Sequence, residues 1–252
     1  MELNRRLSTL ATLALLALVG IASAAPDYAR EKRLADEVVP AVVVGDSVML
    51  ETRAGRKFLG LLTSAPKPRA ALILAHGAGV HPDFGVTGEL RAGLADRGYT
   101  TLSIQMPVLA ASANAEEYVA LFPEAGERLQ TAIDYLRAKG MNRIALVSHS
   151  MGARMANDFI ARHPKTRLMA WLPLAISTGR FESLAGVRLP VFDIYAEHDF
   201  DVVMKGVASR AKVLRGHHGS KQVMVYGTDH YFGNKAKEVA ALIDQLLTPL
   251  AK

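Results

Sequence analysis

Two rhythms of apolar residues alternate along this chain. Short continuous runs of β-prone residues read as strands buried on both faces, and longer stretches with apolar residues three or four apart read as amphipathic helices. DSVMLETRAGRKFLGLLTSAPKPR predicts two strands around the Ala54-Gly55 turn, closed by a proline-punctuated loop. AALILAHGAG is a buried strand ending in glycines. TGELRAGLADRG puts Leu90 and Leu94 on one helix face and stops at Gly98, and YTTLSIQMP is a strand ended by Pro107. Residues 108–122 are less regular, with NAEEYVALF as a short helix. PEAGERLQTAIDYLRAKG is a strong helix, with Pro123 in its first turn, Glu124 and Glu127 near its positive end, and Lys139-Gly140 at its close. Then follow strand NRIALVSHS, helix MGARMANDFIARH, strands RLMAWLPLAIS and LPVFDIYAEHD, helix DVVMKGVASRAKVLR, strand KQVMVYGTDH and helix NKAKEVAALIDQLLTPL.

From residue 70 onward this alternation predicts an α/β fold: a mostly parallel sheet with helices on both faces and an antiparallel N-terminal edge hairpin. With no internal repeat and no interdomain linker, residues 25–252 read as a single domain. The first 24 residues read differently. Arg5 and Arg6 precede an apolar stretch from Leu7 to Ile21, and Ala22-Ser23-Ala24 lead into Ala25-Pro26. That is the layout of a secretory signal peptide, cleaved after Ala24 or, as second choice, Ala25. The apolar run falls short of the ~20 residues that span a bilayer, so a periplasmic or secreted protein is expected.

Composition narrows the chemistry. The 252 residues contain no cysteine, which removes disulfides, thiolate nucleophiles and cysteine metal sites. The formal charge is +6, and +5 without the signal, which carries Arg5, Arg6 and Glu2. This scattered excess lacks the dense basic and aromatic clusters of a nucleic-acid binder and leaves room for weak attraction to an anionic membrane surface. Histidines and carboxylates form no compact metal motif, and no phosphate-binding glycine loop occurs, so neither metal nor cofactor is expected.

The densest signal lies in IALVSHSMGARMA, where a buried strand meets a helix at Ser148-His149-Ser150-Met151-Gly152. In an open α/β sheet, ligands gather beyond the carboxyl ends of the strands. A serine between small residues at such a seam has the form of a nucleophile elbow, with the following helix N-terminus offering free amides to an oxyanion. A serine there is also an ordinary helix cap, so Ser150 needs company. LAHGAG ends an earlier strand in a His-Gly-x-Gly loop, which pairs the amide of Ala78 with that of Met151 as an oxyanion hole. YAEHDFD offers Asp199 as the acid, ahead of Asp201, which suits a helix cap, and Glu197. VMVYGTDHYF places His230 after the last strand, whereas His217 and His218 precede that strand. The order Ser, Asp, His is that of one familiar triad type. His81, Tyr118 and Phe122 are candidate substrate-pocket residues. Met106, Leu109 and Leu121 join Tyr118 and Phe122 if residues 108–122 form a cap, and these five instead pack as core if that segment is ordinary helix packing.

On LAHGAGVHPDF, TTLSIQMP, LVSHSMGA, YAEHD and GTDHYF, residues 46–250 resemble an α/β-hydrolase of an exported Gram-negative branch of that superfamily. Ser148 stands where glycine is usual, and Ala153 where a second glycine often sits. The resemblance implies a serine hydrolase, with ester hydrolysis of small or medium acyl esters as the leading expectation. Amide, peptide or thioester cleavage and acyl transfer use the same triad. A non-catalytic cell-envelope binding protein is the competing class.

Overall fold

The computed structural model describes residues 25–251, so the signal read over residues 1–24 lies outside the described residues. Among the described residues eight strands form one sheet: β1 (Asp46–Glu51), β2 (Lys57–Thr63), β3 (Ala71–Ala75), β4 (Thr100–Ile104), β5 (Ile144–His149), β6 (Ala170–Leu174), β7 (Phe192–His198) and β8 (Lys221–Asp229). Their order is β1-β2-β4-β3-β5-β6-β7-β8. β1 pairs antiparallel with β2, and β2 with β4; every other pairing is parallel. The edge hairpin and the parallel body match the sequence pattern.

Among the described residues six α-helices accompany the sheet: α1 (Tyr28–Val38), α2 (Gly85–Ala95), α3 (Phe122–Ala138), α4 (Met151–Arg162), α5 (Asp201–Arg215) and α6 (Ala236–Leu247). Strand β3 shows how the core divides. Ala71, Ile73 and Ala75 join one apolar cluster with residues of α3 and α4, whereas Leu72 and Leu74 join a second with residues of α2 and α6. The pleat sends successive side chains to opposite faces, so a strand covered on both sides must be apolar throughout. None of the described helices is long and apolar enough to cross a membrane.

Two features depart from the sequence reading. α1 was not expected, because little of it is apolar. Its signals were Asp27, whose carboxylate accepts the Arg30 amide at 2.8 Å, and Glu31 in the first turn. Ion pairing supplies what its apolar face does not: Glu31 meets the buried Arg128 of α3 at 2.8 Å, and the Tyr28 hydroxyl donates to Glu124 at 2.8 Å. Pro173 lies inside β6, where a central strand normally excludes proline. Trp171 and Ala175 donate to the carbonyls of Pro190 and Ile194 across the β6–β7 seam, and Pro173 between them has no N–H to give. The ladder to β7 is accordingly short, with Leu174 opposite Ile194 and an isolated Trp171–Val191 bridge.

Within residues 108–122 the large apolar side chains, apart from the exposed Val119, pack into the core, and the stretch from Ala110 to Glu117 lies at the surface. Met106, Leu109, Tyr118, Leu121 and Phe122 are all buried in the cluster beneath α3, and a 3-10 turn at Glu117–Leu121 leads straight into that helix. None of these residues lines the cleft over Ser150.

Candidate active site

β5 lies inside the sheet, and the chain must reverse at its end to enter α4. Ser150 makes that reversal with φ 53° and ψ −115°, a positive φ that costs a side-chain-bearing residue of order 1–3 kcal/mol. Surrounding bonds hold it there. Its amide donates to Leu174 O at 2.9 Å, and its carbonyl accepts the amides of Ala153 and Arg154 at 3.1 and 3.3 Å. The two small neighbours have different reasons. At Gly152 a Cβ would sit 2.3 Å from His76 O and 2.6 Å from Ala75 O, so the backbone at the end of β3 excludes any side chain. Ser148 is buried, and its hydroxyl accepts the Trp171 indole N–H at 2.9 Å. Serine in place of the usual glycine thus satisfies a buried donor on the neighbouring strand.

β7 and β8 deliver the other two groups. His198 pairs with Asp229 after a register irregularity between Ala196 and His198, so Asp199 and His230 leave their strands side by side. His230 Nδ1 lies 2.6 Å from Asp199 Oδ1, and His230 Nε2 lies 2.8 Å from Ser150 Oγ. The carboxylate accepts only, so Nδ1 carries the proton and Nε2 accepts the Ser150 hydroxyl. Asp199 is anchored by the amides of Phe200, at 2.8 Å to Oδ1, and Ala196, at 3.2 Å to Oδ2. The other two candidate acids face elsewhere. Asp201 pairs with Lys205 in the first turn of α5, and Glu197 accepts the Gly227 amide at 2.8 Å. His217 is likewise occupied, between Ser220 Oγ and Val187 O.

Three histidines crowd this region, and two are held neutral. Burial pushes His76 down to about 3 and His149 down to about 4. His149 Nε2–H donates to His230 O at 2.9 Å, fixing the backbone of the histidine that faces Ser150. His76 Nδ1–H donates to Gly77 O at 2.8 Å, while its Nε2 accepts the Met106 amide at 2.9 Å. Within a trans peptide the carbonyl and amide point opposite ways, so holding Gly77 O also sets the direction of Ala78 N–H. A Cβ on Gly77 would lie 3.4 Å from Ser150 Cβ, which puts this loop directly against the serine. Met151 is the first residue of α4, where helix amides have no partner within the helix.

A cleft of about 440 Å³ opens over Ser150 and His230, and Gly77, Ala78 and His149 help line it. Its aromatic residues are Phe84, Phe200 and Tyr231. The three expected pocket residues do not line it, which corrects that expectation. Tyr118 and Phe122 belong to the core under α3, the Tyr118 hydroxyl accepting the Leu109 amide at 3.3 Å. His81 stands behind the wall, with its ring edge-on to Phe84 at 5.6 Å. Phe84 was missed because loop residues have no periodicity to read, although its place in the loop after the glycines was a usable cue. A larger groove of about 740 Å³ runs between β1, α3 and α4, but its one histidine, His163, leans at 42° against Phe159 and no serine lines the groove. The chemistry therefore belongs to the smaller cleft.

Among the described residues, no group of histidines and carboxylates is disposed to hold a metal ion. A family model described as the dienelactone hydrolase family matches residues 61–245. No curated protein matches the chain significantly. Among solved structures, the dienelactone hydrolase from Anabaena variabilis has a TM-score of 0.65 at 18% identity, covering 81% of this chain and 96% of that one. Est1E from Butyrivibrio proteoclasticus has a TM-score of 0.64 at 15% identity, over 81% and 98%. XC6422 from Xanthomonas campestris, described as an a/b serine hydrolase without lid, has a TM-score of 0.60 at 16% identity, over 82% and 95%. At these identities the structural likeness speaks for the α/β-hydrolase fold alone.

Proposed function

Because the chain belongs to the dienelactone hydrolase family, we propose that it is a serine hydrolase of small or medium carboxylic esters, working through Ser150, His230 and Asp199 and an acyl-enzyme. The observation that carries this reading is the unbroken relay from Ser150 Oγ to His230 Nε2 at 2.8 Å and from His230 Nδ1 to Asp199 at 2.6 Å, on a serine held at positive φ.

In the first half-reaction the Ser150 oxygen attacks the ester carbonyl carbon as His230 Nε2 takes the hydroxyl proton. Asp199 keeps the imidazole in the tautomer that can accept it and stabilises the imidazolium that forms. The amides of Ala78 and Met151 meet the negative oxygen of the tetrahedral intermediate; one such donor is worth about 10²–10³ in rate. The carbon–oxygen bond to the alcohol then breaks, and His230 returns the proton to the leaving oxygen. Water repeats the sequence on the acyl-serine, giving its proton to His230 and releasing the acid with Ser150 restored. Because no residue of 108–122 lines the cleft, nothing from that segment narrows its mouth, which suits small and medium esters.

Ser150→Ala is expected to abolish both hydrolysis of p-nitrophenyl acetate and labelling by a fluorophosphonate probe, with the fold intact by circular dichroism. A wild-type protein inert to both reagents, or an alanine variant that keeps its activity, overturns the assignment. Parallel thioester, amide and acyl-acceptor assays separate ester hydrolysis from its relatives on the same triad.

A further inference from the structure

Three aromatic side chains at the mouth of the cleft remain in water, although each has apolar surface to bury. Phe84 is 47% exposed, Phe200 47% and Tyr231 56%. They leave the loops after β3, β7 and β8, on either side of β5 in the sheet order, and so flank Ser150. Each ring is also oriented by a neighbour. Phe200 lies flat on the His230 imidazole, with centroids 3.9 Å apart and planes at 14°. Tyr231 stands edge-on to His230 and to Phe200, at 90° and 86°. Phe84 is set edge-on against His81 at 87°. Half-exposed rings held in set orientations favour a flat, polarisable partner, because offset stacked and edge-to-face contacts add to simple burial.

The charge of this wall differs from that of the whole molecule. The chain carries +6, yet the described lining of the cleft contains no lysine or arginine, and its one carboxylate outside the Asp199 relay is Glu89. A ligand carboxylate entering here would meet no cation and one like charge.

We propose that the site takes uncharged esters bearing a planar aromatic ring, held among Phe84, Phe200 and Tyr231, and disfavours esters that carry a carboxylate. This rests on the hydrolase reading above and names the substrate class for that same cleft. The reacting bonds are unchanged; the rings select which ester reaches Ser150.

Calorimetric titration of the Ser150→Ala protein reads recognition separately from turnover. Methyl 3-phenylpropanoate should bind about two- to tenfold more tightly than methyl 3-cyclohexylpropanoate, which matches it in size without a π face. Dimethyl terephthalate should bind about three- to tenfold more tightly than monomethyl terephthalate, and adding Glu89→Gln should narrow that gap. Adding Phe84→Leu, or Tyr231→Leu if the first variant fails to fold, should bring the phenyl and cyclohexyl esters together. Equal binding of those two esters, tighter binding of the anion, or no binding of any ester overturns the proposal. Wild-type turnover of p-nitrophenyl acetate tests the hydrolase reading by itself. Activity without selectivity sinks only the recognition claim, and selectivity without activity sinks only the catalytic one.

Discussion

Ser148 is small, buried and two residues from the strained Ser150, yet its hydroxyl has a task of its own. It is the acceptor for the Trp171 indole, whose ring is completely buried between β5 and the Phe181 side chain. Removing one partner of a buried hydrogen bond leaves the other without water to replace it, at a cost of about 1–3 kcal/mol. Ser148→Ala should therefore lower stability by about that amount in urea denaturation while leaving the elbow small enough to close. Wild-type stability in this variant would mean that the indole finds another acceptor. Gly152 allows no comparable change, because backbone oxygen occupies the space of its Cβ. Smallness at this turn thus has two origins, contact with backbone at one position and a hydrogen bond at the other.

At the scale of elements, α1 braces one loop that lines the cleft. Arg30 donates through Nη1 to Leu109 O at 2.7 Å and through Nη2 to Gly79 O at 2.8 Å. It thereby ties the loop that carries Ala78 to the segment that follows β4. The planar guanidinium can hold two carbonyls at once, which an ammonium cannot reproduce. Arg30→Ala should lower kcat/KM for short esters by roughly tenfold, since small displacements of catalytic groups are expensive in rate. Amide hydrogen exchange should accelerate across residues 77–80, and Arg30→Lys should recover only part of the loss. Unchanged exchange and kinetics in Arg30→Ala would refute the link. The β7–β8 irregularity acts at the same scale, bringing Asp199 and His230 side by side from the ends of two consecutive strands.

For the molecule as a whole, burying neutral imidazoles beside the cleft makes folding sensitive to acid. His76 titrates at about 3 when folded against 6.5 as an unperturbed side chain, because burial penalises its charged form. As pH falls below 6.5 the unfolded chain takes up this proton and the folded one does not, so stability declines until about pH 3 and then levels. From pH 6.5 to about pH 5 this one group removes about 2 kcal/mol. His149, pushed down to about 4, acts in the same direction. Glu31 and Asp193 are raised by burial and act in the opposite direction, which makes a difference measurement the useful one. The fall in urea-unfolding free energy between pH 7 and pH 5 should be smaller in His76→Asn than in the wild type. Equal falls would remove His76 from this account.

The strands, most helices and the positions of Ser150, Asp199 and His230 at strand ends were legible in the sequence alone, because pleat and helix periods and turn residues act over a few positions. The α/β class follows from their alternation. Tertiary structure decided what apolar residues pack against, and local pattern carries no record of that. Tyr118 and Phe122 were correctly readable as apolar and inward-facing, but whether inward meant the cleft or the core beneath α3 depended on how α3 lies on the sheet. α1 escaped notice because Arg128, almost a hundred residues later, supplies the charge that buries Glu31. The aromatic wall, too, exists only after loops from three separate strands meet around Ser150, since contacts between distant segments are set by packing of the whole sheet and its helices.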